Sequence, residues 1–197
     1  MRDGQMDIPR YHLLMNVVTS LLTALLITCL TALAAGAEEE KLIDDLFAEL
    51  QVAEGDDARR LEELIWQRWS QSGSPAMDLL LQRGRQAMES GDFVTAINHL
   101  TALTDHAPDF AEGWNARATA YFNANRYGEA VDDIAKTLTL NPRHFGAMTG
   151  LAFIYEAMGK PKEALNLLRA VEKLKPHQEG LDQQIRYMEK AAGEEAI

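Results

Sequence analysis

Residues Ala111–His144 read AEGWNARATAYFNANRYGEAVDDIAKTLTLNPRH, and this stretch decides the fold. Trp114, Ala118, Tyr121, Ala130 and Pro142 stand in it at offsets that recur one period earlier and one period later. Pro108, Pro142 and Pro176 are 34 residues apart, which sets repeat starts at Met77, Ala111 and Phe145. A fixed period of this length is the mark of a stacked repeat architecture. The eighth position holds Gly84, Ala118 and Ala152, and the twentieth holds Ala96, Ala130 and Ala164. Small residues at both places let two antiparallel helices approach closely. The fourth position (Leu80, Trp114, Met148) and the eleventh (Ala87, Tyr121, Tyr155) fill the space between neighbouring hairpins.

The punctuation agrees with this pattern. Gly91, Asn125 and Gly159 occupy the fifteenth position, where the first helix must end in a left-handed residue. Each repeat proline stops the second helix, because it lacks the N–H to continue. Helices are therefore predicted near 76–90, 93–106, 110–124, 127–140, 144–158 and 161–174, with Pro161 tolerated at a helix start. Repeat one lacks the Trp and Tyr of repeat two, so its packing is expected to be looser or completed from outside.

The joint spacing resembles the tetratricopeptide repeat family over repeats 77–110, 111–144 and 145–178. The resemblance implies an all-α fold, a short α-solenoid of antiparallel helix hairpins whose first helices line a concave groove. It also implies that the second, fifth, ninth and twelfth positions face that groove. These are Asp78, Leu81, Arg85 and Met88, then Glu112, Asn115, Thr119 and Phe122, then Gly146, Thr149, Phe153 and Glu156. The candidate partner-binding set is Leu81, Arg85, Met88, Asn115, Thr119, Phe122, Thr149, Phe153 and Glu156. Phe122 and Phe153 are not required by the hairpin core, and they suit an apolar floor for a peptide. The competing reading has the terminal helices covering them. Some family members hold a partner's C-terminal carboxylate with Lys, Asn and Arg at set positions. Here those positions carry Leu81, Arg85, Ala116, Gly146 and Gly150, so that specificity is not expected.

Two flanks enclose the repeats. Residues 38–74 form an acidic amino-terminal helical hairpin. Leu42, Ile43, Leu46, Phe47 and Leu50 lie on one helical face, and Leu61, Leu64, Ile65 and Trp69 on another, with a break at Glu54–Asp57. This pair is expected to pack on repeat one as a polar cap, with Trp66 and Trp69 in its core. Ser74 is the expected N-cap of the next helix and Pro75 its first residue. A capping helix is predicted at 178–192, with Leu181, Ile185 and Met188 inward, closing a repeat domain of 75–192.

Residues 13–37 carry no charge and end in Ala35-Gly36-Ala37, a pattern for signal cleavage near Ala37. Residues 1–37 are accordingly read as a signal peptide, with an uncleaved membrane anchor as the alternative. Lipid attachment at Cys29 fits poorly after Thr28. Export places the repeats in the periplasm or otherwise outside the cytoplasm, and membrane attachment is expected only through 13–37.

Charge narrows the function. The chain carries a formal charge of −11. Residues 38–72 hold 11 acids against 4 bases, whereas 73–176 hold 12 against 11. With no basic stripe, nucleic acid is not an expected partner. One cysteine permits no internal disulfide. No phosphate loop, nucleophile elbow or zinc-binding histidine pair is present, so neither catalysis nor a cofactor or metal is expected. His144 and His177, just after repeat prolines, are expected to face solvent. The sequence reading is an exported interaction module that binds a protein or peptide in its groove. A structural subunit oligomerising through its caps is the alternative.

Overall fold

The computed structural model describes residues 42–194 and, before them, Leu21. Apart from Leu21, the proposed leader, including Cys29 and Ala35–Ala37, lies outside the described residues, as do 195–197. The chain divides into a unit of residues 1–45 and a unit of residues 46–197. The first described helix, α1, covers residues 42–50. Then come α2 (Gly55–Trp69), α3 (Pro75–Glu89), α4 (Phe93–His106), α5 (Ala111–Asn123), α6 (Tyr127–Leu140), α7 (Phe145–Ala157), α8 (Pro161–Leu174) and α9 (Leu181–Glu194). No strand occurs among the described residues.

α3–α4, α5–α6 and α7–α8 are the three repeat hairpins. Their first helices all end in the same way. Gly91, Asn125 and Gly159 have φ of 76°, 59° and 67°. The next N–H reaches back to a carbonyl five residues earlier: Asp92 to Ala87, Arg126 to Tyr121, Lys160 to Tyr155, at 2.8–2.9 Å. These bonds satisfy carbonyls that the helix end leaves open. The second helices end two residues before Pro108, Pro142 and Pro176.

The small-residue positions sit where the hairpin helices touch. Ala96, Ala130 and Ala164 are all fully buried. A Cβ placed on Gly84 would lie 2.5 Å from the branch carbon of Leu100, closer than packed atoms stand. Ala118 and Ala152 are buried in the next two hairpins. Repeat one is packed by Leu81, Ala96, Leu100, Leu103, Ala116 and Ala120, with Leu80 and Ala87 against them. Repeat two joins repeat three through Ala118, Ala130, Ile134, Ala147, Leu151 and Ile154, with Tyr121 and Tyr155 alongside.

Trp114 is half-buried, not a sealed core residue. Its indole N–H donates to the Pro108 carbonyl at 2.9 Å, and the Arg117 guanidinium lies 4.8 Å from its ring centre. Arg117 crosses a repeat boundary. It makes two bonds to Asp133, at 2.7 and 2.8 Å, and reaches Thr104 Oγ1 at 2.8 Å. The bonded Asp133 carboxylate raises the guanidinium's affinity for its proton. An enclosed pair of this kind fixes the register of α4, α5 and α6 more than it adds stability.

Three expectations about the flanks are corrected. The aromatic rings of the amino-terminal pair do not fill repeat one: Phe47, Trp66 and Trp69 pack on His144 and Phe145, at the junction of repeats two and three, and the pair reaches repeat one through the Ser70–Arg85 bond. Ser74 occupies the N-cap position of α3 but makes no side-chain cap bond. The Asp78 carboxylate instead takes the Ser72 N–H at 2.8 Å and its hydroxyl at 2.6 Å. The last helix starts at Leu181, after Gly180 at φ 75°, and runs to Glu194. Its inward residues Leu181, Ile185 and Met188 are buried as predicted.

Two glycines separate close packing from helix propensity. Gly84→Ala should cost about 1–3 kcal/mol through overpacking on Leu100. Gly150→Ala, where a Cβ meets only Ile134 at 4.0 Å, should add about 0.5–1 kcal/mol because Ala is the better helix former. Chemical denaturation of the two variants reads both signs. On the same assay Trp114→Ala should cost about 2 kcal/mol, below the ~3–5 of a fully buried aromatic.

Candidate partner-binding groove

The groove begins with α2, which the sequence reading placed elsewhere. This helix rises about 1.5 Å per residue, so its 15 residues reach across more than one repeat. At its start the Arg59 guanidinium lies 4.0 Å from Glu179, and Glu54 beside it lies 3.6 Å from His177. Farther along, Lys175 Nζ reaches Glu62 at 2.7 Å and sits 4.4 Å over the Phe145 ring. Trp66 then meets Phe145 edge-on, and Trp69 stacks on His144 at 4.5 Å. α2 thus runs back past the loops that open α9 and α7, ending beside α3, where Arg85 bonds Ser70 at 3.0 Å. Gln51, ahead of it, donates to the Lys173 and Leu174 carbonyls at 2.7 and 2.9 Å.

Gly146 explains why α2 can lie so close. It is the second position of repeat three, and a Cβ there would stand 2.6 Å from the Trp66 ring. The glycine is therefore a seat for tryptophan.

A buried polar cluster lies beneath the same contact. His144 is 0% exposed and Glu112 2%, so His144 does not face solvent as expected. The His144 Nδ1 accepts the Ala147 N–H at 3.1 Å as the N-cap of α7. That bond assigns the proton to Nε2, which donates to Glu112 Oε2 at 2.9 Å. Glu112 also takes the Asn115 amide at 3.1 Å and the Arg85 guanidinium at 2.5 Å. One carboxylate joins the first helices of all three repeats, since Arg85 is on α3, Asn115 on α5 and His144 at the start of α7. His177 is 40% exposed on its side chain, as expected.

The proposed groove residues fall into three spaces that share lining residues. A polar channel of about 1030 Å³ lies between α2, α3 and α5 and is lined by Glu63, Trp66, Arg85, Met88, Asn115 and Thr119. Asn115 and Thr119 continue into a pocket of about 130 Å³ with Phe122, Gly150 and Phe153. Phe153 also borders a third space of about 300 Å³, walled by Thr149, Glu156, Leu168, Gln184 and Tyr187. The structure thus brings together Arg85, Met88, Asn115, Thr119, Phe122, Thr149, Phe153 and Glu156. Leu81 is the exception. It is 2% exposed and belongs to the repeat-one core. Phe122 and Phe153 are 38% and 46% exposed, so the described flanking helices do not cover them.

Glu63, Tyr187 and Gln184 also line the groove, and the repeat pattern could not supply them because they lie outside the repeats. Among the described residues no group of three or more His, Cys, Asp or Glu could hold a metal ion, and no helix is long and apolar enough to cross a membrane.

Glu112→Ala should destabilise the fold by about 3–5 kcal/mol, because it strips a buried cluster of the carboxylate its donors share. Glu112→Gln, keeping the shape, should cost less. Urea denaturation measures both.

Two tetratricopeptide repeat models match the chain, at residues 81–144 and 124–181. A TPR repeat-containing protein of Rhizobium etli is 31% identical over 161 residues, covering 81% of this chain and 79% of its own length. The small glutamine-rich tetratricopeptide repeat-containing protein 2 of Saccharomyces cerevisiae is 33% identical over 116 residues, and the match spans 33% of that protein. Among solved structures, the first TPR domain of Spaghetti (RPAP3), bound to an HSP90 peptide, superposes with a TM-score of 0.58 at 23% identity, covering 61% of this chain and 95% of that one. The MamA protein superposes with a TM-score of 0.56 at 19% identity, covering 80% and 84%.

Proposed function

Because the chain belongs to the tetratricopeptide repeat family, we propose that it is a protein-interaction module that holds a segment of a partner protein in its concave groove. The observation that carries this reading is the pair of exposed rings, Phe122 and Phe153, bordering two neighbouring pockets that share Phe153. Exposed aromatics beside a concavity lose nothing of the hairpin core when a ligand covers them, and they offer large apolar area to it. The solved neighbours lend support of a general kind: the Spaghetti domain carries the HSP90 peptide SRMEEVD, and the TPR2B domain of yeast Sti1 was solved with an Hsp70 ligand.

The groove does not favour that acidic class of ligand. Its cation, Arg85, is already bonded to Glu112 and Ser70. Leu81, Ala116, Gly146 and Gly150, at the other carboxylate-holding positions, offer no cationic side chain. Chaperone-tail recognition is therefore not part of the proposal.

The rest of the reading concerns place and role. Residues 13–37 would deliver the repeats out of the cytoplasm, leaving a module that assembles or scaffolds envelope proteins and carries out no chemistry itself. Amino-terminal sequencing of the mature protein separates cleavage after Ala37 from a retained anchor.

The double variant Phe122→Ser, Phe153→Ser tests the groove. Both rings are exposed, so the melting curve should stay within a few degrees of the parent. Capture of the partner by affinity purification from intact cells should be lost. Unchanged capture would point instead to the caps as the interaction surface.

A further inference from the structure

We infer that the segment held in this groove is cationic and carries two neighbouring apolar side chains, which enter the two pockets on either side of Phe153, the bulkier one on the α9 side. The inference rests on the groove reading above and specifies its ligand.

The first argument is shape. The two pockets meet at Phe153 and differ in size, about 130 Å³ towards Phe122 and about 300 Å³ towards Tyr187. The smaller is floored by Ala118, Ala147 and Ile134, side chains that leave room for an aliphatic group of the size of Leu or Val. The larger is walled by Leu168, Met188 and the Phe153 and Tyr187 rings, which suit an aromatic side chain. A segment crossing Phe153 can fill both at once. Burying two such side chains supplies the main apolar gain, against the cost of ordering the segment.

The second argument is charge. Glu156 is the charged residue among those lining the two pockets. In the adjoining channel stand Glu63 and the Arg85–Glu112 pair. That pair cancels itself, with Arg85 2.5 Å from Glu112. A segment lying along the groove therefore meets uncompensated carboxylates at both ends, Glu63 at one and Glu156 at the other. The chain as a whole bears −11, so the long-range field has the same sign. Complementary charge steers encounter and rejects like-charged competitors.

The probe is a fluorescein-labelled nine-residue peptide in which a leucine and a tryptophan are flanked by four lysines. A second peptide replaces the lysines with glutamates, and a third replaces the leucine and tryptophan with alanines. Each is titrated with the full chain and read by fluorescence anisotropy at two salt concentrations. The lysine peptide should bind at least ten times more tightly than either other peptide, and more weakly as salt rises. The variant Glu63→Lys, Glu156→Lys changes two exposed side chains and should keep the parent melting curve. It should erase or reverse the preference for lysine over glutamate. Equal or tighter binding of the glutamate peptide, lost in the Phe122→Ser, Phe153→Ser variant, would overturn the charge assignment while leaving the groove in use. A preference unchanged by Glu63→Lys, Glu156→Lys would overturn it too. Binding of none of the three peptides would overturn the groove reading and this inference together.

Discussion

The structure depends on the distance at which two helices of one hairpin can pack. Ala96, Ala130 and Ala164, each fully buried, let α4, α6 and α8 lie against the first helices of their own repeats. Gly84 takes the demand to its limit, since even one added methyl would collide with Leu100. Close-packed interiors leave little slack for such an addition. With that spacing fixed in every hairpin, the first helices fall side by side, and the concave surface follows from repetition.

A second constraint acts across the repeats. α2 is tied to the loops before α9 and α7 by Lys175–Glu62 and by the tryptophans on His144 and Phe145. It turns a general repeat surface into a groove with a wall. The same contact covers the Glu112–His144 bond, so a carboxylate and an imidazole are buried side by side with hydrogen-bond partners for both. What remains of the concave surface is a polar channel beside α2 and an apolar end at Phe122 and Phe153. The two ends differ because α2 supplies Glu63 and Gln67 to one, whereas α9 supplies Tyr187 and Met188 to the other.

The repeat hairpins were legible in the sequence because their determinants are local and periodic. Gly91, Asn125 and Gly159 have the same backbone role at the same offset, and the prolines end the second helices where expected. Position in the repeat also picked out Phe122 and Phe153 as rings outside the hairpin core, and both are exposed beside pockets. It misplaced Leu81, because a groove-facing position in the first repeat of a stack can still be covered by its own hairpin core. The docking of α2 was not legible. Amphipathicity says that a helix must bury one face, but it does not say against what. The one trace was Gly146, whose missing side chain makes room for Trp66; the two lie 80 positions apart, a separation that no repeat period relates, and only the folded chain brings them together. His144 misled for the same reason, since a residue after a proline turn is exposed until another element covers it.

Native-state hydrogen exchange on the full chain tests the central claim, that α2 is a fixed wall of the groove. If it is, the amides of Ile65–Trp69 should be as slow to exchange as those in the middle of α7, because both open only when the repeat-three contact opens. Exchange of Ile65–Trp69 at the rate of a loose terminal helix, with α5 to α8 still protected, would contradict it.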